Sequence, residues 1–128
     1  ACVVWSVGEG WLCGAGGVGG GAVRFALSWA LGPVAVGWGF PVGTLLVNAA
    51  GSFAIGLVWS ALPAGSWQVL AVVGFCGGFT TFSTFSLESL RMLRDVDTAL
   101  SLAYTAGSAV VSELLSWAGI AVSARWIR

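Results

Sequence analysis

Charge and histidine are scarce in this sequence. Only 8% of its 128 residues are charged, against roughly 25% in soluble domains, and histidine is absent. Five acids balance five arginines, so no basic surface is available for nucleic acid. The three cysteines, Cys2, Cys13 and Cys76, stand singly in apolar surroundings, which predicts small buried hydrophobes rather than a metal centre. The first 23 residues contain no Lys or Arg, so we expect no cleaved signal peptide.

Apolar residues dominate instead. The mean hydropathy is +0.95, and residues 25–87 contain no charged side chain. Because about 20 apolar residues cross a bilayer, the composition predicts an all-α membrane protein with one four-helix transmembrane domain over residues 1–128. The predicted spans run from about Val3 or Trp11 to Trp29, from Val42 to Leu62, from Trp67 to Met92, and from Thr98 to Val122.

Glycine and proline punctuate these spans. Gly32 and Pro33, followed by residues 37–41, predict the connection that ends span one, and residues 63–65 predict a tight turn between antiparallel spans two and three. Within span one, Gly16 and Gly20, like Gly17 and Gly21, have the spacing that lets membrane helices approach closely. We interpret that glycine run as helix packing, since no strand precedes it and no lysine follows it, as a phosphate-binding loop requires.

Span three contains the segment in which we predict the functional site. Gly77 and Gly78 precede hydroxyl residues interleaved with phenylalanine, a pattern in which side chains compete with the helical backbone hydrogen bonds. A helix in lipid opens only where other groups satisfy the freed backbone, so we predict a break in the third helix with a site at the break. Glu88 and the charged residues that follow it predict the exit of this span into water.

Polar side chains in the other spans predict a pathway or helix contacts. Asn48 in span two either bonds a neighbouring helix or faces a water-filled path, and the sequence leaves both open. Four hydroxyls on one face of span four favour a polar track over simple packing. They are Tyr104, Ser108, Ser112 and Ser116. Glu113 lies beside that track, either as a functional acid, as a partner of Arg24, or protonated.

The predicted break can attract ions of either sign. Carbonyls freed around Gly77 to Thr80 suit a small hard cation, because two half-helices bring opposite dipole ends together there. Asn48, the hydroxyls and the positive ring edges of Phe82 and Phe85 suit a small anion, although an aromatic stripe is more often packing. The arginine count is two on one side and three on the other, so we expect insertion in both orientations.

Three motifs resemble one family. The sequence GFCGGFTTFSTFSLE at 74–88, GTLLVNAAGSF at 43–53 and GGGAVRF at 19–25 resemble the signatures of the fluoride channel family, the CrcB or Fluc proteins. The resemblance implies an antiparallel, dual-topology homodimer in the plasma membrane that passively exports cytoplasmic fluoride through two pores. It is not an enzyme family.

The resemblance also implies residue roles. The pore residues by motif position are Asn48, Phe82, Phe85, Tyr104, Ser108 and Ser112, with Ser116 a possible extension. The backbone carbonyls of Gly77 and Thr80 from both subunits would hold a structural Na⁺ at the dimer centre. Glu113 has no role in that pattern, and an ionised acid beside an anion path would repel fluoride.

Two other functions fit the composition. A proton-coupled dual-topology exporter would need a titratable acid in its chamber, and Glu9 and Glu113 are the candidates outside the charged loop. A non-transporting membrane assembly subunit would use its hydroxyls only for helix contacts. Fluoride efflux from proteoliposomes without a pH gradient separates both from a channel.

Overall fold

A computed structural model describes residues 6–38 and 41–127, without the side chains of residues 32–38. Regular structure in these ranges is helical. The predicted start of span one at Val3 lies outside the described residues, as does Cys2. A 3₁₀ turn at Val7–Glu9 precedes the first helix, and the Glu9 carboxylate accepts hydrogen bonds from the Ser6 backbone N–H at 3.0 Å and the Ser6 hydroxyl at 3.3 Å.

The first helix is longer than the sequence pattern predicts. Helix α1 is Gly10–Trp38, so the predicted end of the span at Gly32 and Pro33 is wrong. A proline within a helix removes one backbone donor and crowds the preceding turn, which favours a break in water. In apolar surroundings every other backbone group still needs a partner, and continuing the helix supplies it.

The second helix and the turn after it agree closely with the prediction. Helix α2 is Val42–Ala61, and the chain turns through Gly65, whose φ of 143° is readily adopted only by glycine. The side chain of Gln68 then satisfies the end of α2, donating from Nε2 to the carbonyls of Trp59 at 3.3 Å and Leu62 at 3.1 Å.

Three more helices complete the chain. Helix α3 covers residues 66–79 and joins a first turn at Ser66–Gln68, a π-helical stretch at Val69–Cys76 and a last turn at Gly77–Phe79. Helix α4 is Ser83–Asp95 and helix α5 is Thr98–Trp126. Asp97 caps α5 by accepting a hydrogen bond from the Ala99 N–H at 2.7 Å.

Glycines allow the two main helix contacts, α1 with α3 and α2 with α5. A Cβ atom at Gly16 or Gly20 would collide with the α3 backbone at Leu70 or Phe75, whereas one at Gly21 would meet nothing within 4 Å. The packing interpretation of the glycine run is therefore confirmed for Gly16 and Gly20.

In the second contact, Gly56 of α2 and Gly119 of α5 face each other's backbones. A Cβ at Gly119 would collide with the Phe53 carbonyl and lie 2.7 Å from the Leu57 nitrogen, and one at Gly56 would collide with the Ser116 carbonyl. The core is formed by side chains of α2, α3, α4 and α5. Its buried apolar side chains are Val47, Val69, Val72, Cys76, Phe79, Met92 and Tyr104.

Much of the apolar surface faces outward. Three segments of the described chain, Val42–Ala61, Ser66–Asp95 and Thr98–Trp126, are long and apolar enough to cross a membrane. Only 11% of the most apolar window of α5 is buried within the protein. Exposed apolar area on this scale is unfavourable in water, so the chain is a multi-pass membrane protein.

Candidate functional site

The backbone between α3 and α4 is not helical. Helix α3 ends at Phe79, Thr80 is extended with φ −80° and ψ 155°, and α4 begins at Ser83. Thr80 still closes the end of α3, because its N–H and its hydroxyl both donate to the Cys76 carbonyl, at 3.0 and 2.9 Å. The local sequence explains the change in direction, since threonine side chains offer the backbone alternative partners.

Asn48 of α2 reaches across to this non-helical segment. Its Oδ1 accepts from the Thr81 N–H at 2.8 Å, and its Nδ2 donates to the Thr81 carbonyl at 3.0 Å. The amide thus satisfies both backbone groups of one residue, as a neighbouring strand would. The two hydrogen bonds to Thr81 use Oδ1 and only one of the two Nδ2 hydrogens. Asn48 also lines the groove described below.

Two backbone amides are diverted from their helical acceptors. In an uninterrupted helix the Thr81 N–H would donate to the Gly77 carbonyl, but it donates to Asn48. Likewise the Thr84 N–H would donate to the Thr80 carbonyl, but it donates to the Thr81 hydroxyl at 3.2 Å. The Gly77 and Thr80 carbonyls have therefore each lost their helical donor.

Arg24 of α1 forms a hydrogen bond with a third carbonyl at the end of α3. Its Nε donates to the Gly78 carbonyl at 3.2 Å. A guanidinium at the end of a helix interacts favourably with the partial negative charge of the last carbonyls. Arg24, which the sequence allowed as a partner of Glu113, instead stabilises the end of α3.

A groove of about 530 Å³ runs beside the non-helical segment, between α2, α4 and α5. Its lining combines hydroxyls, an amide, two phenylalanines and a single ionisable side chain. The lining residues are Asn48, Gly51, Ser52, Ile55, Thr80, Thr81, Phe82, Phe85, Thr105, Ser108, Ala109, Ser112 and Glu113.

Most of the predicted pore residues lie together in this groove. Tyr104 and Gly77 are not among its lining residues. Tyr104 is 1% exposed, packs its ring 5.1 Å from that of Phe85, and donates from its hydroxyl to Glu88. Ser116 is used in helix packing, donating to the Ser52 carbonyl at 2.9 Å.

The two predicted pore phenylalanines form a pair. The ring centroids of Phe82 and Phe85 are 5.7 Å apart with a tilt of 46°, and Phe82 is 79% exposed. Phe75 and Phe79 instead stack with each other at 6.2 Å. The aromatic stripe therefore contains two separate pairs, and one of them lines the groove.

Ser108 carries an unsatisfied hydroxyl in the groove wall. A serine within a helix commonly donates to the carbonyl four residues earlier, as Thr105 does to Ser101 at 2.9 Å. Ser108 is only 6% exposed, and its Oγ has no hydrogen-bond partner among the residues described. A buried hydroxyl without a partner is unfavourable, so this position favours a ligand that accepts a hydrogen bond.

A polar cluster at one end of the helices was missed by sequence reasoning. The sequence predicts Glu88 as part of an exit into water, and in the structure its carboxylate accepts from the Thr44 hydroxyl at 2.9 Å and from the Tyr104 hydroxyl at 3.1 Å. A signal was present, because Thr44 precedes Asn48 by one helical turn and so shares its face.

The fold and the groove define a class: a small helical membrane protein with a groove lined by hydroxyls, an amide, phenylalanines and one acid. The chain matches the family described as "CrcB-like protein, Camphor Resistance (CrcB)" over residues 11–120. It therefore belongs to the CrcB family, as the sequence motifs predicted.

Individual relatives agree with this assignment. A protein of Chlorobium phaeobacteroides (strain BS1) named "Fluoride-specific ion channel FluC" is 42% identical over 120 residues, covering 90% of this chain and 92% of the relative. The protein of the same name from Prosthecochloris aestuarii is 37% identical over 90% of this chain and 92% of its own length. "Fluoride-specific ion channel FluC 2" of Moorella thermoacetica is 42% identical, with coverages of 85% and 92%.

Proposed function

We propose that this chain is a fluoride-selective ion channel, not an enzyme, that exports cytoplasmic fluoride passively across the plasma membrane. Membership of the CrcB family and the names of the relatives support the substrate. The observation in the molecule that carries the proposal is the buried Ser108 hydroxyl, which lines the groove without a partner.

The groove chemistry suits fluoride for a physical reason. Fluoride is strongly hydrated, so a pore has to replace its water with several donors, each weak enough for the ion to leave. Asn48, Ser108 and Ser112 supply such donors, and the rims of Phe82 and Phe85 add weak positive edges. Conduction down the electrochemical gradient requires no cofactor chemistry.

The proposed architecture has four membrane crossings. Helices α1, α2 and α5 each cross once, and α3 and α4 form two halves of one interrupted crossing. Two copies assemble as an antiparallel, dual-topology homodimer with two pores. The nearly balanced arginine counts favour insertion in both orientations. The exposed ring of Phe82 supports the proposal that a second copy covers the groove.

The carbonyls of Gly77 and Thr80 fit the proposed structural Na⁺. Both have lost their helical donor, since the Thr81 and Thr84 amides donate elsewhere, and oxygen ligands are those a small hard cation prefers. The neighbouring Gly78 carbonyl already accepts a hydrogen bond from Arg24. In the dimer, both subunits would contribute this pair, and the ion's role there would be structural.

A paired substitution tests the function. Ser108→Ala removes the free donor from the groove and should lower fluoride efflux from proteoliposomes about tenfold, the effect of losing roughly one hydrogen bond. Ser123→Ala is the matched control, because Ser123 is also buried and without a described partner in α5 but does not line the groove. Equal efflux from both variants would contradict the assignment of the groove as the pathway.

A proton-coupled exporter is the second candidate, because Glu113 lines the groove. Fluoride efflux that persists when the pH is equal on both sides supports the channel. Transport that requires a proton gradient supports the exporter, and unchanged fluoride permeability supports a non-transporting subunit.

A further inference from the structure

We propose that Ser89, Ser101 and Thr105 are positioning residues for fluoride conduction: their hydrogen bonds join α4 to α5 and so hold Phe85 in the wall of the groove. This inference rests on the proposed function. It extends the machinery of conduction to Ser89 and Ser101, which are not among the described lining residues of the groove.

The three residues form a closed cycle of hydrogen bonds between α4 and α5. The Ser101 hydroxyl donates to the Ser89 carbonyl at 2.8 Å, and the Thr105 hydroxyl donates to the Ser101 carbonyl at 2.9 Å. The hydroxyl oxygens of Ser89 and Thr105 are 3.2 Å apart. A threonine hydroxyl has one hydrogen, and that of Thr105 is directed at Ser101, so Ser89 is the donor in the third bond.

The direction of these bonds gives Thr105 a role different from that of Ser108. Both residues line the groove, but the only hydroxyl hydrogen of Thr105 is used by the Ser101 carbonyl. The Ser108 hydroxyl, in contrast, has no hydrogen-bond partner among the residues described. Ser108 therefore has a donor for an anion, whereas Thr105 acts on the pathway through the helix that it holds.

Helix α4 depends on such contacts because it does not continue α3. The backbone between the two helices is not helical, so bonds to neighbouring helices have to fix the direction of α4. Before the start of α4, Asn48 holds both backbone groups of Thr81. Ser89 lies about 9 Å beyond the start of α4, at about 1.5 Å per residue. Phe85 lies between these two attachments, which together restrain its ring beside the groove.

The expected effect of the cluster is moderate. Glu88 of α4 also bonds α5, through the Tyr104 hydroxyl at 3.1 Å, and that link remains when the cluster is broken. A single hydrogen bond between membrane helices typically changes an equilibrium by about threefold. Losing the bond between Ser89 and Thr105 should accordingly lower fluoride efflux by about that factor, without abolishing it.

The test measures fluoride efflux from proteoliposomes, expressed per amount of folded protein as determined by size-exclusion chromatography. Ser89→Ala and Thr105→Val should each lower efflux about threefold, and the double variant should be no slower than Thr105→Val, because both changes remove the same bond. Thr105→Ser keeps the hydroxyl and should conduct like wild type. Ser86→Ala is the matched control on α4, since the Ser86 hydroxyl has no described partner and does not line the groove.

Ser89→Ala is the decisive variant, because Ser89 lies outside the groove lining and reaches the pathway only through the cluster. Wild-type efflux in Ser89→Ala overturns the inference, and a loss confined to Thr105→Val would make Thr105 an ion contact instead. Additive losses in the double variant, or no recovery in Thr105→Ser, also contradict the cluster. If less folded protein accounts for the whole loss, the cluster stabilises the fold only. Absence of fluoride efflux from correctly assembled wild type would instead contradict the proposed function.

Discussion

Replacing Asn48 with alanine tests how the non-helical segment is held. The substitution removes the hydrogen bonds to both backbone groups of Thr81, at 2.8 and 3.0 Å. Leaving a backbone donor or acceptor unpaired costs about 1–3 kcal/mol each when buried. Thr81 is half-buried and borders the groove, so water can partly replace the lost bonds, and we expect a total near the low end, about 2–3 kcal/mol.

Hydrogen exchange measures this loss at the residue concerned. A loss of about 2–3 kcal/mol corresponds to roughly 30- to 150-fold faster exchange of the Thr81 amide. Ser52→Ala is the control, because Ser52 lies one turn further along the same face of α2 and also lines the groove. Among the described residues its hydroxyl makes no hydrogen bond to Thr81, so the exchange rate of Thr81 should not change.

A second variant separates support of the backbone from contact with the ion. Asn48→Asp keeps an acceptor for the Thr81 N–H but removes both donor hydrogens and adds negative charge. It should preserve much of the Thr81 protection while lowering fluoride efflux more than Ser52→Ala does. Unchanged Thr81 exchange in Asn48→Ala would refute the hydrogen-bond argument, and normal efflux in Asn48→Asp would restrict Asn48 to helix contact.

Three further outcomes are expected. Phe82→Ile or Phe85→Ile should reduce fluoride efflux while the proposed dimer stays intact on size-exclusion chromatography, and wild-type efflux in both would exclude the ring edges from conduction. Gly119→Ala should lower the thermal stability in detergent by about 1–3 kcal/mol, because its Cβ collides with α2, whereas Gly107→Ala in the same helix meets nothing within 4 Å and should be neutral. If the proposed Na⁺ stabilises the proposed dimer, replacing Na⁺ with a large organic cation should lower the melting temperature; at a Na⁺ concentration of about 100 times its Kd, the lost stabilisation is about 2.7 kcal/mol.

Sequence reasoning worked best where one segment determines the outcome. Helix α2 ends within one residue of its predicted boundary, because apolar composition and the turn at Gly65 are local signals. The prediction failed at the end of α1, where proline and glycine favour a break only if water can satisfy the backbone. Composition alone does not show whether water or apolar groups surround the end of α1.

Contacts between distant segments were harder to anticipate. The spacing in α5 placed Ser108 and Ser112 on one face, and both line the groove. The same spacing could not separate them from Tyr104, which bonds Glu88, or from Ser116, which bonds the backbone of α2. Those differences depend on how helices pack, and a hydroxyl pattern contains no information about its neighbours.

The proposed Na⁺ site and the proposed fluoride pathway both depend on one interruption of the helical backbone. By accepting from the Thr81 N–H, Asn48 deprives the Gly77 carbonyl of its helical donor, which leaves this oxygen available to the proposed Na⁺. The same amide has a second Nδ2 hydrogen and lines the groove, where it can serve an anion. Because Asn48 contributes to both proposed sites, substituting it should weaken Na⁺ stabilisation and fluoride conduction together. Ser108→Ala should weaken conduction alone, since the Ser108 hydroxyl makes no hydrogen bond to the carbonyls at the end of α3 in the described part of the chain.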